Sequence, residues 1–139
     1  MSTNARKTKP RVLLADDCVS LLTALERLLR GDCEIVGRAT TVAELLEQTR
    51  VGRPEVIVLD VMLSGSSGID ACRQLKTTMP DVTIVILTAM EDGDVRSAAL
   101  NAGATDVISK LAPHARLLAA IHKIGSQTSA TQLPRLDAR

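Results

Sequence analysis

The sequence contains no aromatic residue: Phe, Tyr and Trp are all absent from its 139 positions. Any core must therefore be built from aliphatic and sulfur-containing side chains, which supply the whole hydrophobic fraction of 45%. Recognition of nucleic acid by stacking bases on aromatic rings is also excluded. A chain of this length amounts to about one domain and is long enough to bury a core.

The sequence also lacks an excess of charge, a long apolar run and a paired cysteine motif. Its formal net charge is +1, so no overall positive field favours nucleic acid, and we expect no direct nucleic-acid binding. No apolar run is long enough for a signal peptide or a membrane span, so we expect a cytoplasmic protein without membrane contact. The three cysteines, Cys18, Cys33 and Cys72, have no metal-site or disulfide pattern, and we expect all three to be buried as small apolar residues.

Short apolar runs alternate with helical hydrophobic patterns along residues 11–125. Five runs predict strands, at residues 11–15, 34–39, 55–60, 82–89 and 105–109. Each is followed by apolar residues at helical spacing; the first of these helices ends at Gly31 and the last begins at Pro113. This alternation predicts a parallel sheet with helices on both faces.

Polar segments flank this pattern on both sides. Residues 1–10 are basic, and residues 126–139 are polar and aperiodic. We therefore expect one domain at residues 11–125, preceded by a flexible tail and followed by a flexible tail or truncated linker.

Residues that can carry chemistry stand at the ends of four predicted strands. In chain order they are Asp16, Asp17, Asp60, Thr88 and Lys110. The carboxyl ends of parallel strands meet at one edge of a sheet, where ligands bind, so we expect these side chains to share one cleft. Three carboxylates repel each other unless a cation neutralises them, and oxygen ligands in an open site favour Mg²⁺. A carboxylate beside that metal could form an aspartyl phosphate.

Five elements at these positions carry a resemblance to a known family. They are LLADD (13–17), VIVLDVML (56–63), Gly68 eight residues after Asp60, VILTA (85–89) and GATDVISK (103–110). With these elements in this order, residues 11–125 resemble the receiver domain of two-component response regulators. The segment KLAPHARLLAAI (110–121) resembles the receiver type often fused to a C-terminal helix-turn-helix domain. The resemblance implies a doubly wound, flavodoxin-like fold with strand order 2-1-3-4-5.

The resemblance also implies a phosphorylation reaction at this edge. Asp60 would accept a phosphoryl group from a histidine kinase or a phosphotransfer protein. Thr88 would contact the phosphoryl group and shift on phosphorylation, and Lys110 would bind a phosphoryl oxygen. The receiver would catalyse its own phosphorylation and dephosphorylation, and no turnover of a separate metabolite is expected.

A magnesium site is implied as well, with Mg²⁺ as the cofactor. Asp17 would bind the ion directly and Asp16 through water. Asp60 and the backbone carbonyl of Met62 would complete the protein ligands. Phosphorylation would switch contacts with an output partner that the sequence does not identify, and a homodimer is one candidate.

Three positions depart from the family pattern. Ser64, in the loop SGSSG (64–68), stands where a proline is usual, so we expect a more mobile loop. Leu111 follows the lysine where a proline is frequent. Val107 stands where a Tyr or Phe switch residue is usual, and it has no ring to move inward behind Thr88.

Two methionines occupy positions that tune the site in this family. Met62 is two residues after Asp60, and Met90 is two residues after Thr88. Two interpretations stay open: these side chains shield the phosphoryl group from water and lengthen its lifetime, or they only pack against each other.

Two other functions compete with a phosphorylated switch. One is a receiver-like interaction module that binds partners without phosphate. The departures from the family pattern at Val107 and Ser64 are compatible with it. The other is a Mg²⁺ phosphohydrolase, which usually carries a second acid where Met62 stands. Two possibilities also stay open for how the receiver produces its output. It acts alone, or it belongs to a longer transcription factor.

Overall fold

The computed structural model describes residues 9–89, 92–112 and 114–122. Most of both predicted tails, together with Met90 and Pro113, lies outside these residues. Within them the chain forms seven strands and five helices. In chain order these are β1 (Arg11–Ala15), α1 (Val19–Leu29), β2 (Glu34–Ala39), α2 (Val42–Gly52), β3 (Val56–Asp60), β4 (Met62–Leu63), β5 (Ser66–Ser67), α3 (Gly68–Thr78), β6 (Thr83–Thr88), α4 (Gly93–Asn101), β7 (Asp106–Ser109) and α5 (114–122).

Five of the strands form one parallel sheet in the order β2-β1-β3-β6-β7. Since β6 and β7 are its fourth and fifth strands along the chain, the predicted order 2-1-3-4-5 is confirmed. The chain leaves β1 toward β2 on one side and continues at β3 on the other, so the strand order reverses between β1 and β3. In sheets of this type the crevice at such a reversal is where ligands bind.

The sheet is buried on both faces, as the β-branched third strand predicts. Every residue of β3 is buried, and its alternate residues point to opposite faces. Ile57 and Leu59 belong to one apolar cluster with residues of α2, α3 and α4. Val56 and Val58 belong to a second cluster with residues of α1 and α5. The helices therefore cover both faces, and both clusters consist of aliphatic side chains and cysteines.

Side-chain caps begin three of the helices close to the ends of strands. Thr41 caps α2 by accepting a hydrogen bond from the Glu44 amide. Ser67 and Asp92 cap α3 and α4 in the same way. Such caps satisfy amides that would otherwise lack partners, and so they determine where each helix starts. Among the described residues, no helix is both long and apolar enough to cross a membrane.

A small antiparallel hairpin, β4–β5, replaces the predicted loop after β3. Met62 pairs with Ser67, and Leu63 pairs with Ser66. The two turn residues, Ser64 and Gly65, have φ angles of 51° and 84°, as a two-residue type I′ turn requires. Sequence analysis did not predict this hairpin, because a Ser/Gly-rich segment has no apolar alternation and the left-handed conformation of a serine is uncommon.

Candidate functional site

The strand order brings the five chemistry-bearing residues to one edge of the sheet. Lys110 lies between two carboxylates: its Nζ is 2.8 Å from Asp16 Oδ2 and 2.9 Å from Asp60 Oδ2. The Lys110 amide also donates to the Thr88 carbonyl at 2.8 Å, which ties the end of β7 to the end of β6. The cleft expected from the sequence is therefore present, with its cation, its hydroxyl-bearing residue and its acids side by side.

Three carboxylates, from Asp16, Asp17 and Asp60, form the acidic part of the site. Each offers an oxygen, and these oxygens all lie within 4.8 Å of one another. Asp16 and Asp60 are only 1% and 6% exposed, whereas Asp17 is exposed. One ammonium facing three carboxylates leaves two negative charges uncompensated. This donor set, all oxygen and open on the Asp17 side, fits a hard divalent cation such as Mg²⁺.

Backbone amides hold each carboxylate in place. The Cys18 amide donates to Asp16 Oδ1 at 2.8 Å, and the Met62 amide donates to Asp60 Oδ1 at 3.3 Å. Lys110 contacts the second oxygen of both residues, so each carboxylate has one contact with a backbone amide and one with the Lys110 ammonium. Asp17 accepts one hydrogen bond, from the Ser64 amide at 2.9 Å. Its other oxygen has no hydrogen-bond partner among the described residues.

Asp60 and Lys110 each affect the pKa of the other. Burial raises the pKa of Asp60, and the nearby Asp16 adds to that rise, while hydrogen bonds from Lys110 and the Met62 amide oppose it. Burial lowers the pKa of Lys110, but the hydrogen bonds and negative charges of Asp16 and Asp60 outweigh burial and raise it overall. Lys110 therefore stays an ammonium at neutral pH, and it holds a buried carboxylate that resists ionisation.

The residues expected to switch or tune the site differ in their surroundings. Thr88 is buried at the end of β6, and Val107 is fully buried in β7. The Val107 carbonyl accepts a hydrogen bond from Arg96 of α4 at 3.2 Å. Met62 is 50% exposed on the rim of the site. Met90 lies outside the described residues, so the proposed contact between the two methionines does too.

One residue at the site had no role in the sequence analysis beyond the missing proline. Ser64 donates its amide to Asp17 and its hydroxyl to the Thr40 carbonyl at 2.6 Å. We expected a mobile loop here, whereas in the structure two hydrogen bonds connect this turn to two other loops. The only signal in the sequence was the Ser-Gly pair four residues after Asp60, which is compatible with a tight turn.

The fold and the site together define a flavodoxin-like α/β protein with an acidic cleft that contains a buried aspartate–lysine pair. A family model of the response regulator receiver domain matches residues 12–122. The chain therefore belongs to the response regulator receiver domain family. The family and the fold expected from the sequence are thus confirmed.

Curated relatives of this chain are response regulators with longer sequences. It is 36% identical over 118 residues to response regulator MprA of Mycobacterium leprae, covering 85% of this chain and 52% of MprA. It is also 36% identical over 121 residues to the DNA-binding transcriptional activator DevR/DosR of Mycobacterium tuberculosis, covering 86% of this chain and 56% of that protein. The chain thus spans about half the length of these relatives.

Solved structures of receivers share the fold. One is a response regulator protein from Burkholderia pseudomallei whose crystal structure contains a phosphorylated aspartic acid, a calcium ion and citrate. It superposes with a TM-score of 0.76 at 26% identity, covering 89% of this chain and 73% of that one.

Proposed function

We propose that this receiver is phosphorylated on Asp60 and that a histidine kinase or a phosphotransfer protein is the donor. The observation that carries the proposal is the buried Asp60 carboxylate, paired with Lys110 and set beside two further carboxylates. The phosphorylated aspartate of the Burkholderia relative supports the same chemistry. The phosphorylated form would switch contacts with an output partner.

The proposed cofactor is Mg²⁺. Asp17 would bind it directly, since this carboxylate is exposed and has an oxygen without a partner among the described residues. Asp16, which Lys110 contacts at 2.8 Å, would act through water, as the resemblance to the family implies. Asp60 and the Met62 carbonyl would complete the ligands. When bound, the ion would neutralise negative charge on the carboxylates and the transferred phosphoryl group.

Asp60 would be the nucleophile of the transfer. One of its carboxylate oxygens attacks the phosphorus of the donor phosphohistidine; an O–P bond forms and the P–N bond breaks, its electron pair staying on the imidazole nitrogen. Lys110, whose Nζ is 2.9 Å from Asp60 Oδ2, would bind a phosphoryl oxygen. The Thr88 hydroxyl would donate to another oxygen. Attack of water on the phosphorus later returns free Asp60 and phosphate.

The direct test is phosphorylation by acetyl phosphate with Mg²⁺, followed by intact-mass measurement. We expect one added phosphoryl group on the native chain and none on Asp60→Asn. Asp70→Asn is the matched control, since Asp70 is an exposed aspartate of α3 that pairs with Arg73 and does not belong to the acidic cluster. Addition to Asp60→Asn, or no addition to the native chain, would contradict the proposal.

One alternative has a structural observation in its favour. Val107 is buried and aliphatic where the family usually has an aromatic switch residue, which suits a module that binds partners without phosphate. In that case the native chain and Asp60→Asn would bind a partner equally. The phosphohydrolase alternative has no such support, because Met62 holds the position of the second acid. No turnover of a small phosphate ester is therefore expected.

We further propose that residues 11–125 form one receiver that acts in the cytoplasm, between the tails at 1–10 and 126–139. The family match over residues 12–122 supports these limits. These limits suit both forms of output, a receiver that acts alone and the receiver part of a longer regulator; the DNA-binding activator DevR/DosR is an example of the second. A homodimer is one candidate for the switched contact.

A further inference from the structure

Ser64 connects three loops at the edge of the site. It lies in the turn between β4 and β5, four residues after Asp60. Its amide donates to Asp17 Oδ2 at 2.9 Å, in the loop between β1 and α1. Its hydroxyl donates to the Thr40 carbonyl at 2.6 Å, in the loop between β2 and α2. The position of the Asp17 carboxylate therefore depends on a turn that is itself fixed to a third loop.

Asp17 needs such a restraint more than the other two acids do. Lys110 and a backbone amide hold both Asp16 and Asp60. Asp17 is exposed and has no ion pair among the described residues, and its two acidic neighbours repel it. The Ser64 amide is its hydrogen-bond donor within the described part of the chain. Without that bond, rotation of the side chain would move the carboxylate away from the cluster.

The conformation of Ser64 explains why this bond depends on the residue type. With φ at 51° the residue is in the left-handed region, which is unfavourable for most side chains. The hydroxyl bond to Thr40 offsets this cost and fixes the turn against the start of α2. Proline, which is usual here in the family, has no N–H to donate, and its ring restricts φ to about −65°. A proline at this position therefore cannot make the contact to Asp17.

We propose that Ser64 is a positioning residue that assembles the metal site before the ion binds. Its amide orients Asp17, and its hydroxyl holds the turn that presents the amide. The inference rests on the proposed function only in taking Asp17 as a metal ligand. It implies that divalent-cation affinity depends on Ser64, although Ser64 itself does not bind the ion.

The first test is calorimetric titration of the full chain with Mg²⁺, and with Mn²⁺ as a second probe. Ser64→Pro removes the amide donor, and we expect its affinity to fall by about tenfold, as for loss of a hydrogen bond to a charged group. Ser64→Ala removes only the hydroxyl, and a fall of roughly threefold is expected. Ser64→Asn, which tolerates the left-handed region and can donate to Thr40, should restore most of the affinity. Ser66→Ala, in the same hairpin, is the control and should bind like the native chain.

A double-mutant cycle shows whether Ser64 acts through Asp17. We expect Asp17→Asn to weaken binding strongly and Ser64→Ala to add little in that background, because coupled residues are not additive. Equal or tighter Mg²⁺ binding by both Ser64→Ala and Ser64→Pro would overturn the proposal, as would full additivity with Asp17→Asn. Thermal unfolding without metal shows whether each variant is folded. Should Ser64→Pro fail to fold, Ser64→Ala and the double-mutant cycle test the proposal.

Phosphorylation separates this inference from the proposed function. With acetyl phosphate, Ser64→Ala should need more Mg²⁺ for half-maximal phosphorylation yet reach the native rate when Mg²⁺ saturates. A lower rate at saturation, with unchanged Mg²⁺ dependence, would contradict a positioning role. Failure of the native chain to be phosphorylated would contradict the proposed function, while the titrations would still test Ser64.

Discussion

At the scale of single residues, burial of the Asp60 carboxylate lowers the stability of the folded chain. Its carboxylate is almost fully buried beside Asp16, and Lys110 is the cation shared by both. Burial raises the pKa of Asp60, so the folded chain favours the neutral form more than the unfolded chain does. A group whose native environment opposes its charged form reduces stability wherever it must be charged. An ionised Asp60, the proposed nucleophile, therefore reduces the free energy of unfolding.

Replacing that carboxylate should therefore stabilise the chain when no divalent cation is present. We expect Asp60→Asn to unfold at a higher temperature than the native chain in EDTA at neutral pH. The difference should shrink as the pH falls through the raised folded pKa and vanish below the unfolded pKa, because both side chains are then neutral. Thermal unfolding followed by circular dichroism across this pH range measures it.

The same experiment has a matched control and a clear contrary result. Asp70→Asn removes an exposed carboxylate and should give no comparable gain in stability. Addition of Mg²⁺ should stabilise the native chain more than Asp60→Asn, since the ion binds the native site better. A native chain more stable than Asp60→Asn in EDTA at neutral pH would show that the ion pair with Lys110 outweighs the cost of burial.

The expected burial of the three cysteines is confirmed for Cys33 and Cys72 and is wrong for Cys18. Cys18 is exposed beside the site, while Cys33 and Cys72 are buried, and all three are free. Burial, with a contribution from Asp32, raises the pKa of Cys33 to about 11. Burial likewise raises the pKa of Cys72. The two buried cysteines are therefore apolar core residues, whereas Cys18 precedes α1 without a side-chain capping bond and donates its amide to Asp16.

At the scale of secondary-structure elements, Gly68 connects the phosphoacceptor strand to α3. It is the first residue of α3, and its amide donates to the Val61 carbonyl at 2.7 Å. A Cβ at this position would lie 2.0 Å from the carbonyl oxygen of Asp60. Only glycine therefore lets the helix begin so close to the end of β3, and this closeness determines the path of the hairpin that carries Met62 and Ser64.

Gly68→Ala should therefore displace α3 from the end of β3. We expect a loss of about 1–3 kcal/mol in the free energy of unfolding, as for other overpacked sites, together with weaker Mg²⁺ binding because the hairpin moves with the helix. Gly93→Ala is the matched control: Gly93 is the first residue of α4, and a Cβ there would meet no atom of the described residues within 4 Å. Urea unfolding of both variants tests the difference, and equal stabilities would contradict the role given to Gly68.

At the scale of the whole molecule, one sheet separates two apolar clusters built without aromatic rings. Among the described residues, all buried members of both clusters lie between Val12 and Ile121, and their burial drives folding of this span. The sheet itself reaches slightly further, because the Glu34 amide donates to the Pro10 carbonyl at 2.8 Å. Pro10 therefore contributes to the pairing between β1 and β2, although it precedes the proposed start of the domain.

This contact predicts a difference between two shortened chains. A chain of residues 9–125 should unfold at the same temperature as the full chain, because it retains both clusters and the Pro10 carbonyl. A chain of residues 11–125 lacks that carbonyl and should be less stable by about 1 kcal/mol, the usual contribution of one hydrogen bond. Thermal unfolding of the three chains measures this. Equal stability of the two shortened chains would show that the Pro10 bond contributes nothing.

Much of the fold and of the site could be predicted because it depends on relations between chain neighbours. The β-branched run ending at Asp60 predicts a strand buried on both faces, and the order of five such runs predicts a parallel sheet. A parallel sheet in turn places Asp16, Asp60 and Lys110 at one edge. The hairpin could not be predicted in this way, because Ser64 adopts a left-handed conformation that its own sequence does not favour.

The sequence by itself therefore determined the class of fold, the strand order through its motifs and the identities of the residues at the acidic cleft. Only the tertiary structure decided how each carboxylate is held: Asp16 and Asp60 by Lys110, and Asp17 by Ser64. The reason is physical. Periodicity arises between residues a few positions apart, whereas the bonds from Ser64 reach across 47 and 24 positions. Contacts over such separations exist only once packing has brought three loops together.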